Sequence, residues 1–223
     1  MSQELSVGDS VYEALRRDII FGRLAPSAKL KLDQLKADYS ASIATIREAL
    51  NRLVTEGFVV TEGQRGFFVG PMSAAGLREI ADLRILLECH ALKLSFEAGD
   101  TEWEARVIAA HHKLSRMEQR MQAGDHSVKE VWKQYDWEFH QALISGCGSE
   151  ALLNVHGTVF DKYLRYQMHT LTFRGDPAAI EHRSLLDSAM ARDIEKAQLI
   201  LRQHIEGGVE HSLEQNAQSN LSL

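Results

Sequence analysis

Cysteine is almost missing from the 223 residues. Only Cys89 and Cys147 occur, with no paired spacing, which excludes a disulfide framework and a thiolate zinc site. Proline is nearly as rare, and Pro26, Pro71 and Pro177 each fall at a break between periodic segments. No apolar run approaches the length of a membrane-spanning helix. The start, Met1-Ser2-Gln3-Glu4-Leu5, lacks the basic and apolar regions of a signal peptide. The expectation is a cytoplasmic protein without a membrane partner. What is present is globular: 44% hydrophobic and 25% charged residues exclude a disordered tail protein.

Histidine is missing from one part of the chain and abundant in the other. All ten lie between His90 and His211. Residues 1–70 hold nine basic and nine acidic side chains, whereas the remainder holds 16 basic and 22 acidic ones and carries the whole net charge of −6. Two segments with such different ionisable chemistry predict two domains, 1–70 and 71–223.

In the first segment Val11, Leu15 and Ile19 repeat at helical spacing, and a second short helix is expected around Leu32, Leu35 and Tyr39. After the polar turn Ser40-Ala41-Ser42, a third helix carries Ile43, Ile46, Leu50, Leu53 and Val54 and stops at Gly57. From Phe58 to Val69 the residues turn β-branched and aromatic around Gly63-Gln64-Arg65-Gly66, which reads as a hairpin. Beyond Pro71 the pattern predicts six helices, over 74–98, 102–122, 128–145, 150–173, 178–191 and 194–214. Thr101-x-x-Glu104 and Ser127-x-x-Glu130 have the form of capping boxes. The predicted fold is mainly α, a winged helix-turn-helix followed by an all-α antiparallel helical bundle.

Two helices joined by a tight turn and followed by a hairpin can place the second helix in a major groove about 12 Å wide. Arg47 then faces guanine or phosphate, Ser42 and Thr45 face phosphate, and Arg65 follows the backbone from the hairpin tip. A protein-binding module fits the same pattern, and the zero net charge of residues 1–70 lacks the usual basic footprint.

Four stretches bear on this choice: Phe21-Gly22-Arg23-Leu24-Ala25-Pro26, Ile46-Arg47-Glu48-Ala49-Leu50, Leu53-x-x-Glu56-Gly57-Phe58-Val59 and Arg65-Gly66-Phe67-Phe68-Val69. Together they resemble the GntR family of bacterial transcriptional regulators. The resemblance implies a dimer that binds double-stranded operator DNA, with Arg47 and the Arg65-Gly66 tip inheriting the contact role. Ser42 is followed by Ile43 where the family often has Arg, so the family's usual base preference is not carried over.

The histidine-rich segment places polar groups on apolar stripes, where burial is costly unless they are satisfied. Arg84 interrupts the stripe Leu77, Ile80, Leu87, Ala91, Leu94. Asp136 shares a stripe with Trp132, Phe139 and Leu143, and His140 lies one turn on, so the two project from one face. His182 sits with Leu185, Leu186 and Ala189, and His204 follows Ile194, Ala197 and Leu201. A lone inward histidine is usually a hydrogen-bonded core residue. Four inward groups with ligand chemistry instead point to a metal site between facing helices.

Asp82-Leu83-Arg84 with Glu88, Asp136-x-x-x-His140, Glu181-His182 and Arg202-Gln203-His204 further resemble the FCD ligand-binding domain of the FadR-type branch of that family. The resemblance implies that Asp136, His140, His182 and His204 hold a divalent ion and that a small organic acid binds beside it. Ser149 stands where the family usually has Asn, a change expected to affect a turn. Three imidazoles and one carboxylate suit Zn, Ni, Mn or Fe, with zinc foremost. Arg84 and Arg165 are the candidate effector contacts, with Tyr163 and Thr172 as further candidates for the pocket wall. Similarity of Ser40–Leu50 and the Gly146–Ser149 turn to carbon-starvation regulators implies a short dicarboxylate or related acid as effector.

The function expected is a homodimeric, effector-controlled DNA-binding repressor. The alternatives are a metal-dependent hydrolase or oxygenase using the same site, and a metal sensor. No general base is evident for an enzyme, and the first 70 residues would then have no purpose.

Overall fold

The computed structural model describes residues 6–170 and 173–218. Thr172 therefore lies outside the described residues. Helix α1 (Val7–Ile20) starts where the Ser6 hydroxyl accepts the Asp9 amide at 3.1 Å. After the short α2 (Leu32–Asp38), α3 (Ile43–Glu56) is capped by Ser42, whose hydroxyl accepts the Thr45 amide at 3.1 Å. It ends at Gly57, with φ of 80°, a left-handed cap that favours glycine. Ile46, Leu50 and Leu53 are fully buried as the spacing predicts, whereas Ile43 is 37% exposed in the first turn.

The hairpin is part of a small sheet. Strands β2 (Val59–Thr61) and β3 (Phe67–Val69) pair antiparallel, and β1 (Lys29–Leu30) adds to the other edge of β3, in the order β1-β3-β2. Two residues between helices leave too little periodicity to reveal β1. The wing tip is one 3₁₀ turn, Gly63–Arg65.

Six helices follow: α4 (Ala74–Ala98), α5 (Thr101–Gln122), α6 (Lys129–Ile144), α7 (Glu150–Thr170), α8 (Asp176–Ala191) and α9 (Ile194–Gln218). Both expected capping boxes are corrected by one residue or more. Asp100, not Thr101, caps α5 by accepting the Trp103 amide at 2.8 Å. Asp125 accepts the Ser127 amide in a 3₁₀ turn that precedes α6. A carboxylate one or two residues upstream of the hydroxyl outcompetes it as the acceptor. The buried face of α4 is also turned from the expected stripe: Ala81, Ile85, Glu88, Leu92 and Phe96 join Leu77, Arg84 and Ala91, while Ile80, Leu87 and Leu94 are only half-buried.

Two hydrophobic cores result, and their membership crosses the linker. The bundle core gathers residues such as Leu77, Trp103, Leu114, Phe139, Leu185 and Leu201. The core of the winged unit contains Leu15, Ile46, Leu50, Leu53 and Phe58, and it also takes in Phe160, Leu164 and Met168 of α7. Polar contacts reinforce that seam. Arg16 pairs with Glu56 at 3.0 Å and with Asp161 of α7, and Arg17 and Arg23 approach Glu130 of α6 at 3.8 and 3.6 Å.

Candidate metal centre and nucleic-acid interface

The structure brings Asp136 and His140 of α6, His182 of α8 and His204 of α9 together. One potential ligand atom from each lies within 4.8 Å of all the others, and all four residues are buried. The i, i+4 pair on α6 supplies two donors from one face, and α8 and α9, packed against each other, supply the rest.

Each imidazole is held from behind by a glutamate. His140 Nδ1 bonds Glu88 Oε1, His182 Nδ1 lies 2.6 Å from Glu118 Oε1, and His204 Nδ1 lies 2.8 Å from Glu181 Oε2. A carboxylate on Nδ1 fixes the ring and leaves Nε2 for the centre, the arrangement common behind metal-bound histidines. His140 Nε2 and His182 Nε2 are buried and make no hydrogen bond; His182 Nε2 approaches Asp136 Oδ1 at 3.1 Å without the alignment of one. Buried ring nitrogens left unpaired around one point, with a carboxylate among them, fit a divalent cation by donor type and by placement.

Electrostatics follow from the same contacts. Burial opposes charge on His182, but Asp136 and Glu118 outweigh it and raise the imidazole to about 9. Burial dominates at His204 and lowers it to about 3, against the pull of Glu181. Burial opposes ionisation of Asp136, yet Lys133 and the nearby histidines hold it well below the usual carboxylate range.

A cavity opens beside the quartet. Lys133, Asp136, Arg174, His182, His204 and Ser212 contribute to its wall. Gly208 also lines it, and a Cβ there would fall 2.3 Å from the Tyr163 hydroxyl, so glycine lets α9 approach α7 this closely. Tyr163 itself is buried and donates to the Ile205 carbonyl at 3.0 Å.

The two candidate effector arginines go elsewhere. Arg84 is 1% exposed, donates to Glu88 Oε2 at 2.8 Å, and lies 3.1 Å from His140 Nδ1. Its guanidinium rests over Phe160 and Tyr163, at 4.3 and 4.8 Å from the ring centroids. It therefore reaches the quartet from behind, through Glu88. Arg165 donates to the Gly70 carbonyl and lines a separate crevice with Pro71 and Gly76 at the linker. Its position facing the winged unit, rather than the quartet, reflects the face of α7 on which it falls.

Sequence reasoning missed Glu118 and Lys133. Both stand on legible stripes: Val107, His111, Leu114, Glu118 and Met121 alternate by four and three, as do Lys133, Asp136, His140 and Leu143.

In the winged unit Arg47 is exposed on α3. Ser42 caps that helix and its hydroxyl also lies 2.9 Å from the Thr45 hydroxyl. Arg65 projects from the wing with its side chain 75% exposed, paired to Glu62 at 2.6 Å, beside Gly66 at φ of 96°. Arg52, by contrast, is bound to Asp9 at 2.9 Å and stacked 3.8 Å from the Tyr12 ring centroid.

Comparison with known proteins covers both segments. Residues 8–69 match the profile of bacterial regulatory proteins of the gntR family, and residues 79–207 match the FCD domain. The chain is 40% identical over 92% of its length to the HTH-type transcriptional regulator BphR of Paraburkholderia xenovorans, covering 84% of that protein. It is 34% identical over 87% of its length to the HTH-type transcriptional repressor GlaR of Escherichia coli, covering 90% of it. Among solved structures, E. coli McbR/YncC shares the fold with a TM-score of 0.80 at 19% identity, over 95% of this chain and 99% of that one. With a reader helix and wing at one end and the FCD bundle at the other, the chain belongs to the GntR family of transcriptional regulators.

Proposed function

We propose that the chain is a homodimeric repressor that binds operator DNA through α3 and the wing, and that a small organic acid beside a bound divalent ion sets its affinity. The observation that carries the ligand half is the convergence of Asp136, His140, His182 and His204, with a glutamate behind each imidazole. Zinc, or Ni, Mn or Fe, suits three imidazoles and a carboxylate. When bound, such an ion would act as a Lewis acid that draws an anionic oxygen to an open coordination position.

The chain's own residues do the rest. Glu88, Glu118 and Glu181 orient the imidazoles, and Arg84 steadies Glu88. Helix α7 contacts both the quartet's surroundings and the winged unit, which supports a route by which ligation alters the reader. The enzymatic alternative is set aside, because the family and its relatives are transcriptional regulators.

Two variants test the halves separately. Arg47→Ala is expected to abolish a gel shift on DNA from the gene's own upstream region while leaving metal content unchanged. Elemental analysis of His182→Ala should show metal falling well below one ion per chain; equal metal in wild type and variant removes His182 from the ligand set.

A further inference from the structure

Arg165 is the buried charge that the rest of the molecule leaves unanswered. The residue is 7% exposed, and its one hydrogen bond among the described residues goes to the Gly70 carbonyl, an uncharged acceptor. Its Nε is buried with no partner, and no carboxylate of the described residues pairs with it. The other buried charged side chains each meet an opposite charge: Arg84 meets Glu88, Lys133 meets Asp136, and Glu118 meets His182. Burial lowers the Arg165 pKa from the ordinary arginine range, with only the Tyr166 phenol acting the other way. A guanidinium held out of water without a counter-charge is costly, and one carbonyl occupies few of its five donors.

The surroundings add charge of the same sign. Lys162, three residues earlier on α7, projects from the same face and is half-buried, with no ion pair among the described residues. Its ammonium stands over Gly57, the cap of α3: a Cβ there would fall 3.3 Å from Nζ. Both cations line a crevice of about 190 Å³ between that cap, the linker at Pro71 and the first turn of α4. Tyr166 lines it too, and its hydroxyl makes no hydrogen bond among the described residues. The acid in the wall, Glu79, is exposed and pairs with neither cation.

A guanidinium fork, an ammonium and a phenol in one crevice match an oxyanion with several acceptor oxygens. Two positive charges suit a phosphate group, which carries close to two negative charges near neutral pH. The volume is several times the share of about 30 Å³ that one water molecule takes, and admits a phosphate with a small substituent. We propose that this crevice is an anion site for a phosphate group, free or esterified to a small metabolite, held by Arg165, Lys162 and Tyr166. The site is separate from the quartet and does not need the metal reading. Its ligand bridges α7, the α3 cap and the linker, the pieces that set the reader against the bundle.

The test titrates the full chain with inorganic phosphate, glycerol 3-phosphate and acetate at constant ionic strength, by thermal shift and calorimetry, before and after dialysis against EDTA. Phosphate and its ester are expected to bind saturably in both preparations, and acetate more weakly by about tenfold or more. Tighter binding of the ester identifies a phosphorylated metabolite as the ligand, and equal or tighter binding of phosphate identifies the free ion. Lys162→Met should fold like wild type and weaken phosphate about tenfold, while Lys162→Arg should stay within a few-fold of wild type. No saturable binding of either phosphate, acetate binding as tightly as phosphate, binding that vanishes with the metal, or a Lys162→Met variant that binds phosphate like wild type overturns the inference. The wild-type titrations decide it even where a variant does not fold. Absence of metal from wild type would remove the metal reading and leave this inference standing.

Discussion

At the residue scale, the glutamates behind the histidines decide what the centre can do. With Nδ1 of each ring engaged, a proton and a metal ion compete for the same nitrogens. His182, raised to about 9 by Asp136 and Glu118, carries a proton at neutral pH in the ion-free protein, whereas His204, lowered to about 3 by burial, carries none. Metal binding between pH 6 and 8 is therefore expected to release about one proton, and affinity should fall as pH drops. Calorimetry in buffers of different ionisation enthalpy measures that number. Glu118→Gln keeps the volume but removes the charge, and should weaken zinc roughly 10–100-fold in a competition titration. The convergence of Asp136, His140, His182 and His204 was legible in the sequence because each interrupts an apolar stripe. Their glutamate partners were less so: pairing across helices depends on which faces meet, and a single helix's period does not state that.

At the element scale, α7 is the piece whose role the sequence concealed. Its periodicity predicts a bundle helix, which it is, but its residues serve two cores. Phe160 belongs to the core of the winged unit, lies under the Arg84 guanidinium, and sits 5.7 Å from the His140 ring. Removing its ring should cost about 3–5 kcal/mol, and because both halves lean on it, Phe160→Ala should lower the stability of reader and bundle together. Hydrogen exchange resolved by segment checks this: faster exchange in both α1 and α6 is expected, and a change confined to the bundle would contradict a shared core. The opposite lesson comes from the caps. Hydroxyl-based capping boxes were read at Thr101 and Ser127, but Asp100 and Asp125 do the work because an ionised carboxylate is the stronger acceptor for a free amide.

At the scale of the whole molecule, two ligands that act on one body must influence each other equally. Whatever factor an acid ligand takes from operator affinity, operator DNA must take from acid affinity, and paired titrations should return the same ratio. Chelation offers a second reading: removing the ion with EDTA should lower the melting temperature, by an amount that grows with the free-metal concentration used as reference. The fold class and helix order were legible because long amphipathic helices advertise their period. The two-residue strand β1 and the crossing of the second core through α7 were not, since neither leaves a local pattern.

That crossing has a practical corollary for anyone who would treat the halves as interchangeable parts. A fragment ending near Pro71 is cut off from Phe160, Leu164 and Met168, so its underside becomes an oily scar that invites clumping. A chimera that grafts this reader onto another bundle must bring the matching side of α7 along.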